Sequence, residues 1–155
     1  MEVRKIRSEM RMGRSFYDLP LRVTFYARVS TDQDEQINSL ENQVQYYTEL
    51  IQSKPNWKFV PGYVDEGISG TSTAKRESFL RMIADAEAGY FDFIITKEIS
   101  RFSRNTLDSI RYTHELLACG VGALFQSDNI NTLLPDAELR LTIMSSIAQD
   151  EVRKI

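Results

Sequence analysis

Two short stretches of the chain bring together residue types that suit chemistry on an anion. The first is Tyr26-Ala27-Arg28-Val29-Ser30-Thr31. On an extended strand, residues two apart point the same way, so Arg28 and Ser30 share a face at the strand's carboxyl end. A hydroxyl beside a guanidinium is a nucleophile suited to an anionic substrate. The plainer alternative is a turn serine next to a surface arginine. The second stretch is Lys97-Glu98-Ile99-Ser100-Arg101-Phe102-Ser103-Arg104-Asn105. If a helix begins here, Arg101 and Arg104 lie three apart on one face near its positive end and, with free backbone N–H groups, form an anion site. A solvated basic helix start is the alternative. Arg76, after the Gly/Ser/Thr loop 65–73, adds a third charge. Phosphoryl transfer asks for little beyond a positioned nucleophile and stabilised charge on the phosphate oxygens. Arginine suits that task, because its planar fork binds phosphate bidentately and stays charged. No metal is then required, and Asp65, Glu66 and Glu98, which lack ligand spacing, are expected to be solvated.

The elements that must position these residues alternate in type. Residues 22–29 (RVTFYARV) read as a strand. A helix follows, opened by a capping-box-like Asn38/Glu41 pair, carrying Leu40, Val44, Tyr47 and Ile51 as its apolar stripe and closed by Pro55. Trp57–Val64 is predicted as a second strand, with Pro61-Gly62 marking a bulge or an edge. Lys75–Ala88 is a helix with Phe79, Met82, Ile83 and Ala86 inward and Gly89 as its stop. Phe91–Thr96 is a buried strand. The next helix sets Leu107, Ile110, His114 and Leu117 on one face and stops at Gly120, ahead of a strand at Val121–Phe125. On this reading His114 is a core or interface residue, Cys119 a small buried group, and Tyr46, Tyr47, Phe91 and Phe93 core aromatics. The expected fold is α/β: a mostly parallel sheet of about four to five strands, helices on both faces, and functional loops at the strands' carboxyl ends.

Three segments are expected. Residues 1–20 are polar and basic and read as a flexible extension; residues 21–135 form the core; residues 136–155 begin a long helix. Asp136 caps that helix, and no Gly or Pro stops it before Ile155. Leu139, Ile143 and Ile147 occupy one of its faces, while Leu141, Met144, Ala148 and Ile155 are spread round the others, so it needs more than one partner. The pattern predicts that the helix continues beyond this sequence and packs on another subunit.

Composition narrows the function classes. The chain has 155 residues, enough for one domain, and its 42% apolar and 26% charged residues are ordinary for a globular protein. No apolar run is long enough to span a bilayer. A single cysteine rules out an internal disulfide and makes the cytoplasm the expected compartment. A single histidine argues against a His-rich metal site or a serine–histidine dyad. The net charge is -3, so most of any affinity for DNA is expected to come from residues outside this chain.

With those residues in view, the chain resembles the resolvase/invertase family of serine recombinases, and within it the large serine recombinase or transposase branch. YARVST (26–31), SLENQ (39–43), DEGISGT (65–71), the Arg76–Phe79 segment, KEISRFSRN (97–105) and SSIAQDE (145–151) carry the resemblance, in the family's order, over about residues 22–151. It implies Ser30 as the nucleophile that forms a 5′-phosphoserine bond to DNA, with Arg28, Arg76, Arg101 and Arg104 holding the scissile phosphate. It also implies supporting roles for Gln43, Ser69 and Glu151, no cofactor, and dimers that pair into a tetramer. A DNA-binding region would follow the long helix. Ser100 stands where small resolvases carry Asp, so no carboxylate is assumed as acid or base there; serine is usual in the large branch.

Two other classes compete. A non-catalytic α/β nucleotide- or DNA-binding module would carry a Gly-rich phosphate fingerprint, and neither G-x-G-x-x-G nor a Walker-type loop occurs. A serine hydrolase would carry a G-x-S-x-G elbow and a partner histidine, and the elbow is missing. Formation of a covalent adduct with DNA separates the first reading from both.

Overall fold

A computed structural model describes the backbone of residues 2–30, 34–67 and 76–153, with side chains except at 29–30, 34–39 and 152–153. In chain order the elements are α1 (Val3–Arg11), β1 (Arg22–Ser30), α2 (Asp34–Gln52), β2 (Lys58–Phe59), β3 (Tyr63–Gly67), α3 (Glu77–Glu87), β4 (Phe93–Thr96), α4 (Thr106–Ala118), β5 (Gly122–Phe125), β6 (Ile130–Asn131) and α5 (Ala137–Arg153). Single 3-10 turns lie at Phe16–Asp18 and Ile99–Arg101.

The strands make one six-stranded sheet ordered β2-β1-β4-β5-β6, with β3 also on β1. β1 to β5 pair in parallel and β6 closes the edge antiparallel to β5. The sheet thus matches the expected mostly parallel α/β class, with six strands against the expected four to five, two of them only two residues long. The predicted strand 57–64 is in fact two. β2 pairs with Arg22 and Val23, and β3 with Tyr26 to Ser30, along the same edge of β1. The break falls at Pro61-Gly62. There Thr24 Oγ1 donates to the Pro61 carbonyl at 3.1 Å, and a Cβ on Gly62 would lie 2.2 Å from the Phe25 ring. Only glycine leaves room for the buried Phe25 ring against the chain at that point.

Two cores sandwich the sheet. One joins α3, α4 and α5 to it through Phe79, Met82, Ile110, Leu116, Ala137 and Leu141. The other joins α1 and α2 to the opposite face through Ile6, Tyr47, Ile51 and Phe93. The β1 alternation explains both: Tyr26 faces the first core, while Val23, Phe25 and Ala27 face the second.

Several expectations need correction. The N-terminal residues fold instead of forming a flexible arm. Ile6 is fully buried with Val3 and Met10 beside it, an i, i+3, i+7 stripe that the surrounding charges obscure. Arg7 adds hydrogen bonds to the carbonyls of Thr132 and Leu133, at 3.2 and 3.4 Å. α2 begins at Asp34, ahead of the predicted Asn38/Glu41 start. In α4 the buried face is Ser109, Ile110, Thr113 and Leu116, one step round from the predicted stripe. Ser109 and Thr113 tolerate burial because their hydroxyls donate to the carbonyls of Ser103 and Ser109. His114 is turned to solvent and pairs with Glu138 on α5 at 3.1 Å. Cys119 is exposed, as is Tyr46.

Candidate active site

The carboxyl ends of β1, β3 and β4 lie side by side, and the candidate residues gather there. β1 pairs through Arg28 with Asp65 and through Ser30 with Gly67 on β3. On its other edge it pairs with β4 up to Phe25–Ile95. Thr96, which ends β4, donates to the Tyr26 carbonyl at 2.8 Å and ties the two strand ends together.

Arg28 is the hub. Its guanidinium is half-buried, and burial holds it below the usual arginine range; repulsion from Arg76, Arg101 and Arg104 acts in the same direction, against the opposing influence of Tyr26. Four arginines from three separate segments therefore converge at one end of the sheet. Ser30 follows Arg28 by two residues on the same strand, and its backbone pairs with Gly67.

Each arginine is held differently. Arg101 donates through Nη1 to the Arg28 carbonyl at 2.8 Å and lies 3.6 Å from Glu98. Arg101 closes a 3-10 turn, whereas Arg104 is exposed and precedes α4. The two do not share a helix face, contrary to the sequence expectation. The reason is local: the Asn105 side chain accepts from the amides of Leu107 and Asp108, at 2.8 and 3.3 Å, and starts the helix after both arginines. Arg76 lies with its guanidinium carbon 4.1 Å from the centre of the buried Phe79 ring. Its Nε and Nη2 are buried and have no hydrogen-bond partner among the described residues. A buried cation with open donors is costly in isolation and is satisfied by an anion.

Asp65 has a positioning role at this end of the sheet that the sequence pattern did not reveal. It was expected to be solvated, but it is buried. It accepts from the Tyr26 hydroxyl at 2.7 Å and from the amides of Ser78 and Phe79 at 2.9 and 3.0 Å. Its carboxylate thus pins the first turn of α3 to β3 and β1, fixing Arg76 against the site. Burial and then the bond to Asp65 push the Tyr26 hydroxyl well above the ordinary tyrosine range, so Tyr26 remains a donor. The sequence signal was an acid at the end of one strand and a helix start about a dozen residues later, a pairing visible only once β3 is known to lie beside β1.

Of the supporting candidates, Gln43 is half-buried on α2. Glu151 is exposed on the last turns of α5, and no hydrogen bond or ion pair among the described residues joins it to the arginines. Ser69 and the Ser30 side chain lie outside the described residues. No group of three or more His, Cys, Asp or Glu among the described residues is placed to hold a metal ion. Likewise, none of the described helices is long and apolar enough to cross a membrane.

Comparison with known proteins agrees with this geometry. Residues 23–155 match the family model "Resolvase, N terminal domain". The chain is 33% identical over 138 residues to the transposon Tn3 resolvase of Escherichia coli, covering 87% of this chain and 66% of that protein. It therefore spans just under two thirds of that relative's length. Among solved structures, the N-terminal catalytic domain of TP901-1 integrase superposes with a TM-score of 0.58 at 27% identity, covering 85% of this chain and 97% of that one. A resolvase family site-specific recombinase from Streptococcus pneumoniae shares the fold, with a TM-score of 0.64 at 23% identity over 86% of this chain and 90% of that one. A family match across all but the first 22 residues, with an arginine cluster at the expected strand ends, places this chain in the resolvase N-terminal domain family of serine site-specific recombinases.

Proposed function

We propose that this chain is the catalytic part of an enzyme that cuts and rejoins DNA at specific sites, with Ser30 as the nucleophile. Ser30 Oγ attacks the scissile phosphorus, and the bond from phosphorus to the 3′ oxygen breaks. The products are a 5′-phosphoserine and a free 3′-hydroxyl, with the serine proton balancing the 3′ oxygen. Attack by the 3′-hydroxyl of a recombining strand reverses the step. The phosphoserine conserves the bond energy, so no cofactor is consumed. Arg28, Arg76, Arg101 and Arg104 hold the phosphate and stabilise the charge that builds on its oxygens. Gln43, Ser69 and Glu151 are supporting residues in this reading. Full recombination requires self-association to dimers and a tetramer, together with DNA affinity supplied from outside this chain.

The observation that carries the proposal is the convergence of four guanidiniums beside the strand that bears Ser30, one of them with buried, open donors. Nicked suicide duplexes carrying the crossover sequence provide the test. The wild-type protein is expected to accumulate a covalent adduct and Ser30→Ala to form none while remaining folded. Adduct formed normally by Ser30→Ala overturns the assignment.

A further inference from the structure

α1 lies outside the family-matched residues 23–155, yet it builds a surface feature of its own. Between α1 and the connection from β6 to α5 is a groove of about 480 Å³ lined by Arg7, Met10, Arg11, Leu133, Leu134 and Pro135, with Glu138 at its edge. Its floor is apolar and its α1 rim carries two guanidiniums. Glu138 is engaged by His114, and Arg7 by two backbone carbonyls, which leaves Arg11 as the exposed cation of the rim.

α5 begins at the end of this groove and carries three large exposed apolar side chains. Leu139, Ile143 and Ile147 are 65%, 51% and 55% exposed, while Ala137 and Leu141 on the opposite side are buried in the core. With about 100° per residue, Leu139, Ile143, Ile147 and Asp150 fall within an arc of roughly 80°. The outer face of α5 is therefore an apolar stripe that ends in an exposed carboxylate.

The spacing makes this stripe self-complementary to the groove. If two copies of α5 lie antiparallel about a two-fold axis at Ile143, Ile147 of each meets Leu139 of the other. Asp150 lies about 10 Å beyond Ile143 along the helix, and position 136 lies the same distance before it. Asp150 of one copy then reaches Leu134, Pro135 and the groove mouth of the other. Asp136 also stands there, but its carboxylate is taken by Arg140 at 2.8 Å. A two-fold interface of this kind uses the same patch on both subunits.

We propose that the groove formed by α1 and the β6–α5 connection seats the far end of α5 from a second copy of this chain, with Arg11 receiving Asp150. This rests on the self-association proposed above and adds to it a subunit contact made by residues outside the family domain. The N-terminal helix thereby becomes part of the assembly surface.

Sedimentation equilibrium of the 155-residue chain tests the inference. Arg11→Glu and Asp150→Arg are both exposed changes, and far-ultraviolet circular dichroism confirms that each variant is folded. The two-fold interface holds the Arg11–Asp150 pair twice, so each is expected to weaken self-association about 2- to 30-fold, the range of two exposed ion pairs, and the double variant is expected to return to within twofold of wild type. Ile143→Asp, which strikes the pairing of the α5 helices, is expected to abolish association. Loss of association with Ile143→Asp alone, both charge variants behaving as wild type, overturns the groove contact and leaves the self-association reading intact. A wild-type chain that remains monomeric at high concentration overturns both.

Discussion

A guanidinium that packs against a phenyl ring with Nε and Nη2 buried is an unfavourable arrangement when those donors lack partners, and Arg76 has none for them among the described residues. Each unsatisfied buried polar group costs about 1–3 kcal/mol, more when charged. Arg28 adds to the strain, since burial and three neighbouring arginines disfavour its charge. A phosphate between them offsets both costs, because it accepts the open donors and screens the repulsion. Geometry matters here as much as charge. Arg101 already spends one N–H on the Arg28 carbonyl and presents the remainder of its fork in a fixed orientation. An ammonium cannot do both. Arg101→Lys and Arg104→Lys are therefore expected to lower single-turnover cleavage by about 30- to 900-fold, equivalent to roughly 2–4 kcal/mol of transition-state stabilisation. Rates within twofold of wild type for both variants would mean that these residues supply only docking charge.

At the scale of elements, two contacts hold the sheet so that its strand ends can meet. α1 covers one face through Ile6, which is completely buried. Ile6→Ala is expected to lower stability to urea by about 2–5 kcal/mol, whereas Met12→Ala, at a side chain 79% exposed, changes it by less than about 0.5 kcal/mol. Equal effects would mean that α1 does not dock. At the other end of the sheet, Asp92 receives three hydrogen bonds from Arg22, at 2.9, 3.2 and 3.1 Å, joining the starts of β1 and β4. Burial acts to raise the Asp92 pKa, the hydrogen bonds from Arg22 act against it, and on balance the carboxyl stands below its ordinary value of 3.8. A carboxyl with a depressed folded pKa stabilises the fold above its unfolded value and loses that contribution as pH falls through the folded one. Asp92→Asn is therefore expected to cost about 1.5–3 kcal/mol at pH 7, with the gap to wild type narrowing in urea unfolding below pH 3.8. A gap independent of pH would assign the loss to packing instead of charge.

Over the whole molecule, what could be read in the sequence follows from how local each signal is. The strand at RVTFYARV and the glycine stops at Gly89 and Gly120 are local and were legible from spacing, whereas the Asn38/Glu41 cap was not, because α2 already begins at Asp34. The convergence of Arg76 with Arg28 required strand order, which the alternation of strands and helices supplied only in outline. Asp65 was misread because its partners, Tyr26, Ser78 and Phe79, come from two other segments. α1 was misread because four arginines and a lysine within the first 14 residues concealed three inward apolar positions. Charge is unevenly distributed as well: a chain of net charge -3 gathers four arginines at one pole of its sheet. On the proposed reading, those four arginines hold a single phosphate, and a chain with this net charge offers little of the electrostatic affinity that a long stretch of duplex demands. Whether Ser30 makes the bond to DNA is tested most directly by trapping the adduct on a suicide duplex, trimming it with nuclease and protease, and mapping it by mass spectrometry. A 5′-phosphonucleotide is expected on the side chain of Ser30, with a free 3′-hydroxyl on the released strand; a nucleotide on any other residue, or one joined through its 3′-phosphate, overturns Ser30 as the nucleophile.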